Sequence, residues 1–321
     1  MCGDWEKRLW RGSVVIDRTE WDKTFSGYCK GEVEFNVPMT GHTSLAIGGP
    51  ADVVVSPEDP VSMKNLVLLL GRQGMPFLPV GGGTNILVRD EGLEGVVIKC
   101  RAFGRVEILH ETGDTIELFA EAGVLLQKLV NFCREKGFSG MEGLTGIPGT
   151  LGGAICGNTG SFGCEIKDVL ASAVIMRADG SLERFGAADL GLRYRASDVL
   201  PGDIVLSANL KLRKDDAAAV AARTDDFFNR KKSAQPIWER SAGCVFRNPE
   251  GMSAGRMIDE AGCKGMRAGN IEVSSLHANF FVNRGEGTAA DYLALMEEVS
   301  EKVRKMFGVK LEPEIRVVGR G

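Results

Sequence analysis

The sequence predicts an α+β protein built from two or three domains, and three observations lead to this prediction. Its 321 residues are more than one ordinary hydrophobic core accommodates. From residue 51 onwards, strand-like and helix-like hydrophobic patterns alternate, and two glycine-rich segments interrupt them. A charged stretch that begins at Asp215 then separates these blocks from a third region of short strands and two helices.

The composition is that of a globular protein, with 44% hydrophobic and 26% charged residues. No apolar run approaches the roughly 18 residues that cross a membrane, and the charged first ten residues do not resemble a signal peptide. A net charge of −4, with basic and acidic residues interleaved, argues against a nucleic-acid partner. We therefore expect a cytoplasmic protein without a membrane partner.

The cysteines are scattered, without a CxxC pair or a histidine at ligand spacing. This pattern predicts reduced thiols and no metal site. We expect most of them to be small core residues, with Cys244 as the exception discussed below. The eight cysteines are Cys2, Cys29, Cys100, Cys133, Cys156, Cys164, Cys244 and Cys263.

Local patterns assign most elements of the chain. Strands are predicted by short runs of β-branched and aromatic residues, and helices by apolar residues at helical spacing. Predicted strands are 52–55, 76–80, 95–100, 114–122, the hairpin 171–186 with Asp179-Gly180 at its turn, 204–214, 243–248, 278–283 and 311–319. Predicted helices are 61–74, 124–137, 215–232, a helix that opens with the capping box Thr288/Asp291, and a tryptophan-rich N-terminal helix packed on the body of the protein.

The first chemical signal is the run of three glycines in residues 78–90. Gly81, Gly82 and Gly83 allow positive φ and a close approach of the backbone to a bulky anion. Successive amides in such a turn bind phosphate oxygens. An Ile-Leu-Val strand follows instead of a helix, which excludes a Rossmann fingerprint. The alternative is a tight turn that binds no ligand.

The second signal is residues 142–163, a long segment in which glycines recur. Long irregular segments in compact domains are usually functional, and Pro148 with interspersed apolar residues favours an ordered loop over a flexible linker. Two such loops in two β/α blocks suggest one long ligand held between two subdomains, and a dinucleotide has that length. The glycines concerned are Gly146, Gly149, Gly152, Gly153, Gly157, Gly160 and Gly163.

Six segments, in order along the chain, together resemble one family. They are HTSLAIGGPAD (42–52), LPVGGGTNILVRD (78–90), GLTGIPGTLGGA (143–154) with Asn158, LRYRASD (192–198), SAGCVFRNP (241–249) and LEPEIRVVG (311–319). These segments are similar to those of UDP-N-acetylenolpyruvoylglucosamine reductases, the FAD enzymes of bacterial peptidoglycan precursor synthesis. Six ordered motifs are far more specific than a single match.

The resemblance implies a fold and a domain division. The fold would be a two-subdomain FAD-binding unit of the vanillyl-alcohol-oxidase / p-cresol methylhydroxylase type, followed by an α+β substrate-binding domain. The short span between Tyr194 and Asp215 resembles the subtype that lacks an extra substrate-closing loop. The implied division is residues 1–104 with strand 308–321, residues 105–214, and residues 215–307.

The resemblance also implies FAD as cofactor and NADPH as reductant. Related flavoproteins often tether FAD through a histidine, but His42, His110 and His277 lie outside both glycine segments. Non-covalent FAD is therefore expected. The implied cofactor-binding residues are Gly81, Gly82, Gly83, Thr84, Asn85, Gly146, Ile147, Pro148, Gly149, Gly152, Gly153 and Asn158.

The implied reaction reduces the enolpyruvyl group of UDP-N-acetylglucosamine enolpyruvate to give UDP-N-acetylmuramate. Negative charge then develops beside the substrate carboxylate, which a guanidinium can hold bidentately. The motif match assigns this role to Arg195, and it assigns a catalytic carboxyl to Glu314 in preference to Glu312. Tyr194, Arg247 and Asn248 match substrate-binding positions.

Cys244 stands where most members of the family carry the serine that protonates the substrate carbanion. A thiol is a much stronger acid than an aliphatic hydroxyl, so it is a credible proton donor. The alternative is an inert buried thiol, with Ser241 or a water molecule as the donor.

Two other functions compete with this interpretation. One is an FAD-dependent oxidase or dehydrogenase that acts on another small molecule with the same scaffold. The other is a non-catalytic nucleotide-binding module. Neither accounts for the YRAS, GCVFRNP and LEPEIR segments occurring together.

Overall fold

The computed structural model describes Phe25 and residues 27–321, so the helix predicted around Trp5, Trp10 and Trp21 lies outside the described residues. The chain forms two compact units. The first contains the described residues up to Asn36 together with Asp52–Gly82 and Glu94–Asn229, and the second contains Val37–Ala51, Gly83–Leu93 and Arg230–Gly321. The division into three domains at 104 and 214 remains a prediction.

Strands and helices are numbered in chain order. The strands are β1 (Gly31–Pro38), β2 (Pro50–Pro57), β3 (Phe77–Val80), β4 (Ile86–Val88), β5 (Leu93–Lys99), β6 (Val106–Thr112), β7 (Thr115–Glu121), β8 (Phe138–Ser139), β9 (Gly160–Ser161), β10 (Cys164–Glu165), β11 (Leu170–Met176), β12 (Leu182–Gly186), β13 (Ile204–Lys214), β14 (Arg267–Ala268), β15 (Ile271–Val273), β16 (Phe281–Asn283) and β17 (Arg316–Val318). The helices are α1 (Pro60–Arg72), α2 (Leu126–Lys136), α3 (Leu151–Cys156), α4 (Ala217–Ala234), α5 (Ala254–Glu260) and α6 (Ala289–Phe307).

The first unit contains a four-stranded sheet in the order β1-β2-β5-β3, in which β3 and β5 are parallel. Helix α1 begins where the Asp59 carboxylate accepts a hydrogen bond from the Ser62 amide at 2.7 Å, with Pro60 as its first residue. Its apolar side packs with Val96 and Ile98 of β5 in one buried cluster. This packing fixes which face of the sheet is covered by the helix.

The first unit also contains a six-stranded antiparallel sheet in the order β12-β11-β13-β7-β6, and β8 pairs with β13. The predicted hairpin is confirmed as β11 and β12, and Gly180 in its turn has a φ of +79°. Residues of β7, α2, α3, β11 and β13 form one large hydrophobic cluster. The second glycine segment, residues 142–163, belongs to this half of the unit.

The second unit contains the parallel pair β4–β17 and the sheet β14-β15-β16. Helix α6 has the predicted capping box, in which the Thr288 hydroxyl accepts from the Asp291 amide and the Asp291 carboxylate accepts from the Thr288 amide. Its buried face, which includes Tyr292, packs in a cluster with Val245 and Phe246. The segment that carries Cys244 therefore contributes side chains to this cluster.

Three sequence-based expectations differ from the structure. Residues 243–248 form no regular strand but isolated bridges, Cys244 with Phe280 and Phe246 with Pro313. Only Arg316–Val318 of the predicted terminal strand pairs as one. Residues 142–163 contain a 3-10 turn, Glu142–Leu144, and helix α3 instead of an irregular loop.

Candidate active site

The turn after β3 leaves two backbone amides open. Among the described residues, none accepts a hydrogen bond from the amide of Gly81 or Gly82, and both glycines are only partly buried. Neighbouring open amides are the groups that bind phosphate oxygens in nest-type sites. A Cβ on Gly81 would overlap the hydroxyl oxygen of Thr150. Position 81 therefore needs glycine because the turn lies directly against the N-cap of α3.

Gly83 begins the part of this turn that belongs to the second unit. Its φ is +64°, and a Cβ there would overlap the carbonyl oxygen of His42. Asn85 follows, and its side-chain amide donates to the Glu314 carbonyl at 3.3 Å, while its own carbonyl accepts from the Arg316 amide at 3.1 Å. The Asn85 side chain thus holds the backbone of a predicted catalytic residue.

The second glycine segment starts from a buried carboxylate. Glu142 accepts hydrogen bonds from the Gly140 amide at 2.7 Å, the Ser139 hydroxyl at 2.9 Å and the Arg223 guanidinium at 2.9 Å. Burial alone would raise the pKa of Glu142, but these donors together hold it below its usual value. The ionised carboxylate thereby fixes the entry of the segment.

The middle of the segment is tied to the start of α2. The Gly146 amide donates to the Gln127 side chain at 2.5 Å, and the Gly149 carbonyl accepts from the Leu126 amide at 2.9 Å. Gly146 and Gly149 have φ values of +69° and +115°, which L side chains rarely adopt. The chain therefore turns sharply here without losing its hydrogen bonds.

The two neighbouring glycines of α3 differ in their surroundings. The Gly152 amide donates to the Ala122 carbonyl at 2.9 Å, and a Cβ on Gly152 would lie 2.9 Å from the Ala122 Cβ. Gly153 is exposed, and a Cβ there would meet only the Thr150 hydroxyl, at 3.7 Å. Gly152 allows close packing on β7, whereas Gly153 presents open backbone surface.

Asn158 is completely buried, with a φ of +38°. Its side-chain amide donates to the Glu165 carboxylate at 2.9 Å and to the Arg193 carbonyl at 3.2 Å, and its oxygen accepts from the Lys167 amide at 3.0 Å. The side chain therefore connects the second glycine segment to the turn that carries Arg195. A cofactor-binding role for Asn158 remains a prediction.

Arg195 lies in a tight turn closed by two backbone hydrogen bonds between Arg193 and Ala196, each 3.0 Å long. Its φ is +53°, a left-handed conformation that costs a non-glycine residue about 1 kcal/mol. Its guanidinium donates to the Gly160 carbonyl at 2.8 Å and lies 5.1 Å from the ring centre of Tyr194. Unfavourable backbone geometry held by several bonds is frequent at functional positions.

The charges near Arg195 form a small network. The Lys167 ammonium lies 2.7 Å from the Glu165 carboxylate. Burial would raise the pKa of Glu165, but the hydrogen bonds from Lys167 and Asn158, and the charge of Arg195, lower it. Glu165 is therefore ionised at neutral pH and offers Arg195 a fixed negative neighbour.

The segment that carries Cys244 lies between two other parts of the second unit. The Val245 amide donates to the Asn279 carbonyl at 2.9 Å, and the Val245 carbonyl accepts from the Glu314 amide at 2.8 Å. The Arg247 amide donates to the Glu312 carbonyl at 2.8 Å. The partly buried Cys244 and the predicted catalytic Glu314 therefore belong to adjacent backbone segments.

Tyr292 of α6 lies close to this segment. It is fully buried, with its ring centre 5.4 Å from that of Phe281. Burial raises the pKa of Tyr292, and a negative charge on Cys244 would raise it further. Its hydroxyl makes no hydrogen bond to any described residue. Sequence reasoning did not single out this residue.

The predicted substrate-binding residues differ in their exposure and partners. Tyr194 is 43% exposed. The Asn248 side-chain oxygen accepts from the Ala254 amide at 3.0 Å, at the first residue of α5. Glu314 is half-buried, whereas the alternative carboxylate Glu312 is exposed.

Four residues now stand out that the sequence did not indicate: Thr150, Glu165, Lys167 and Tyr292. Thr150 had a recognisable local signal, since threonine before a helical run is a common N-cap. Glu165 and Lys167 had none, because an acid and a base two positions apart are too common to mark a site. Tyr292 had none either, because its hydroxyl makes no hydrogen bond to any described residue. In the described part of the chain, no group of three or more His, Cys, Asp or Glu residues could hold a metal ion. None of the described helices is long and apolar enough to span a membrane.

Two protein families match different parts of this chain. An FAD binding domain matches residues 51–186, which include both glycine segments, and the C-terminal domain of UDP-N-acetylenolpyruvoylglucosamine reductase matches residues 235–318. The reductase of Geotalea uraniireducens is 41% identical, covering 90% of this chain and 95% of the relative. That of Rubrobacter xylanophilus is 44% identical, covering 89% and 95%.

A crystal structure of UDP-N-acetylenolpyruvylglucosamine reductase from Thermus caldophilus has a TM-score of 0.77 and 33% identity, covering 90% of this chain and 99% of that one. The predicted α+β fold with an FAD-binding unit, the family and FAD as cofactor are thereby confirmed. The chain belongs to the UDP-N-acetylenolpyruvoylglucosamine reductase family of FAD-dependent oxidoreductases.

Proposed function

We propose that this chain uses NADPH and non-covalently bound FAD to reduce UDP-N-acetylglucosamine enolpyruvate to UDP-N-acetylmuramate. The reaction would serve peptidoglycan precursor synthesis in the cytoplasm. One observation carries the proposal: the FAD binding domain and the reductase C-terminal domain occur in one chain, which aligns with nearly the full length of reductases of this name.

The backbone at the first glycine turn fits a phosphate-bearing cofactor. The amides of Gly81 and Gly82 have no hydrogen-bond partner among the described residues, and the absence of a side chain at Gly81 lets the turn lie against Thr150. Non-covalent binding is favoured because the chain's three histidines lie outside both glycine segments.

The chemistry that FAD would supply when bound is transfer of a hydride from NADPH to the substrate. Hydride addition at the enolpyruvyl methylene carbon leaves negative charge on the adjacent carbon, and the substrate carboxylate shares this charge. We assign the binding of that carboxylate to Arg195. Its guanidinium can hold a carboxylate bidentately, and its turn is fixed by the Asn158 and Gly160 contacts.

Cys244 is the proposed proton donor to the carbon that bears the negative charge. Its thiol proton would go to that carbon, leaving a thiolate that solvent reprotonates after the product leaves. Glu314, whose amide is bonded to the adjacent Val245 carbonyl, is the proposed carboxyl that stabilises the developing charge through a hydrogen bond. Arg247, Asn248 and Tyr194 are the proposed substrate contacts.

An anaerobic spectral titration tests the proposal. NADPH should bleach the flavin absorbance of the purified yellow protein, and UDP-N-acetylglucosamine enolpyruvate should then restore it, with UDP-N-acetylmuramate as the product. Denaturation should release free FAD. An oxidase of the same scaffold would instead restore the absorbance with oxygen alone, produce hydrogen peroxide from an alcohol substrate, and leave the enolpyruvyl substrate unchanged.

Variants of two cysteines test the assignment of the proton donor. Cys244→Ala should leave bleaching by NADPH nearly intact and slow the substrate-dependent recovery by about 10²- to 10⁴-fold, the contribution of a positioned acid. Cys244→Ser should recover part of this loss. Cys263→Ala, which removes a buried thiol in the same unit, serves as the control. Recovery at the wild-type rate in Cys244→Ala would transfer the role to Ser241 or a water molecule.

A further inference from the structure

Lys99 is a buried cation at the end of the strand next to the first glycine turn. It is the last residue of β5, and only 8% of its surface is exposed. Lysine is rarely buried unless its ammonium has a partner, because removing an unpaired charge from water is costly. The surroundings of Lys99 therefore need an explanation.

No acid or hydrogen-bond acceptor among the described residues engages the Lys99 ammonium. Burial, followed by the positive charge of Arg101, lowers its pKa. Three other buried charged groups in the described part of the chain are paired: Glu142 with Arg223, Asp203 with Arg177, and Glu272 with Arg284. Lys99 differs from them in lacking a counter-charge from the described chain.

The strand register places Lys99 beside the open amides. Lys99 pairs with Val80 in the parallel ladder between β5 and β3, and Gly81 and Gly82 follow Val80 directly. Paired positions in neighbouring strands lie about 5 Å apart, which is within the length of a lysine side chain. Val96 and Ile98 pack with α1, so alternation places Lys99 on the opposite face of the sheet.

This edge of the sheet is where the carboxyl ends of two parallel strands meet, a common location for ligands in sheets with parallel strands. The second glycine segment also reaches it, since Gly81 lies against Thr150. The open amides and the ammonium without a counter-charge therefore belong to the same edge of the sheet, and such groups together suit an anion.

We propose that the Lys99 ammonium is a further contact to the diphosphate of FAD, beside the phosphate-binding turn at Gly81 and Gly82. The phosphate oxygens would accept hydrogen bonds from the two amides and supply the counter-charge that Lys99 lacks. Lysine is well suited to phosphate because it presents a compact point charge. The inference rests on FAD binding by this family and is independent of which substrate is reduced.

The test measures the dissociation constant of FAD for full-length variants, by diluting the holoenzyme and following the rise in flavin fluorescence. Lys99→Met should weaken binding by about 10- to 100-fold, the contribution of a hydrogen bond to a charged group. Lys99→Arg should retain most of the affinity. Lys64→Met, which removes an exposed lysine of α1 in the same unit, should leave the dissociation constant unchanged.

Salt dependence separates a phosphate contact from a structural role. Raising the sodium chloride concentration should weaken FAD binding by the wild type more steeply than binding by Lys99→Met, because a charge–charge contact is screened and an apolar one is not. Without FAD, the melting temperature of Lys99→Met should equal or exceed that of the wild type, since an unpaired buried charge has been removed. Added FAD should raise the melting temperature of Lys99→Met less than that of the wild type.

Several results would overturn the inference. An unchanged FAD dissociation constant in Lys99→Met would mean that solvent alone satisfies the ammonium. Weaker binding with an unchanged salt dependence and a lower melting temperature without FAD would mean a structural role. A raised KM for NADPH, with FAD affinity unchanged, would assign the cation to the other phosphate-bearing cofactor. Each of these results is independent of whether the enolpyruvyl substrate is turned over.

Discussion

The two glycine-rich segments of this chain look alike in sequence and differ in structure. At the first, the amides of Gly81 and Gly82 have no acceptor among the described residues. At the second, the amides of Gly146, Gly152 and Gly157 all donate to groups of the chain itself. Glycine richness therefore has two physical causes here, namely exposure of the backbone to a ligand and close approach of the backbone to its own neighbours.

The second cause applies at particular positions of the second segment. Gly152 has no room for a Cβ beside Ala122, and Gly160 has none beside Glu165. The segment also contains Asn158, whose side chain is bonded to the Arg195 turn through the Arg193 carbonyl. We infer that the first segment holds phosphate, whereas the second mainly positions other groups.

Among the variants that compare the two segments, Asn158→Ala should have the largest effect. Loss of its hydrogen bonds to Glu165 and Arg193 should release the Arg195 turn, and misplacement of a binding group by about 1 Å can cost about 100-fold in rate. The rate of flavin recovery with the enolpyruvyl substrate should fall by that factor, while bleaching by NADPH and the FAD dissociation constant change little. Arg195→Lys should show the same division between the two half-reactions.

A large loss of FAD affinity in Asn158→Ala, with both half-reactions slowed equally, would instead support the sequence-based assignment of Asn158 to the cofactor. It would also remove the distinction between the two segments. The two rates are measured separately by anaerobic stopped-flow absorbance.

Gly81→Ala should act mainly on cofactor binding. The new methyl group would overlap the Thr150 hydroxyl and displace the turn, at a cost of about 1–3 kcal/mol or roughly 5- to 150-fold in FAD affinity. Gly104→Ala is the control, because a Cβ there meets nothing within 4 Å. Equal FAD affinity in both variants would show that the turn does not hold the cofactor.

Much of the fold followed from local patterns, because those elements are determined by local contacts. The hairpin around Gly180 and the capping box of Thr288 and Asp291 are set by residues close together in sequence. The glycine turn after β3 was likewise recognisable from consecutive residues, Gly81 to Gly83. Residues 243–248 were wrongly predicted as a strand, because Val245 and Arg247 pair with two separate segments, at Asn279 and Glu312.

The site was predictable only as a set of residue types. Sequence motifs indicated Arg195, Cys244 and Glu314, but they could not show what holds each one. The network that holds the Arg195 turn includes the hydrogen bond from Asn158 to the Arg193 carbonyl, which joins residues 35 positions apart. The buried charge of Lys99 was equally hidden, since a lysine at the end of a strand is normally solvated.

Glu142→Gln tests whether the second segment depends on its internal bonds. An amide cannot accept from Gly140, Ser139 and Arg223 together as the carboxylate does, so the free energy of unfolding should fall by about 2 kcal/mol at neutral pH. Denaturant unfolding measures this change. Glu135→Gln, on the exposed side of α2, is the control and should change little.

The effect of Glu142 should depend on pH in a definite direction. The folded protein holds the pKa of Glu142 below its ordinary value, so its stabilisation is present above the ordinary glutamate pKa and is lost as the pH falls through the lower folded value. The difference between Glu142→Gln and the wild type should therefore shrink in acid. A difference that stays constant from neutral to acid pH would contradict this role.

The last pair of variants distinguishes the two neighbouring glycines of α3, and Gly153→Ala should have the smallest effect. Gly152→Ala should destabilise the protein by about 1–3 kcal/mol, because its Cβ would be 2.9 Å from the Ala122 Cβ. Gly153→Ala, with open space around it, should stabilise the protein by about 0.4–1 kcal/mol. Thermal unfolding measures the melting temperature of both variants. Equal shifts of the two melting temperatures in the same direction would contradict this difference between the glycines.

Amide hydrogen exchange with and without FAD tests the central distinction most directly. Mass spectrometry of overlapping peptides would follow the turn at 81–82 and the segment 152–158 in the same sample. We predict that FAD slows exchange strongly at Gly81 and Gly82 and only slightly at 152–158, where the amides of Gly152, Gly157 and Asn158 are already bonded within the chain. Strong slowing at 152–158 with no change at 81–82 would contradict the account.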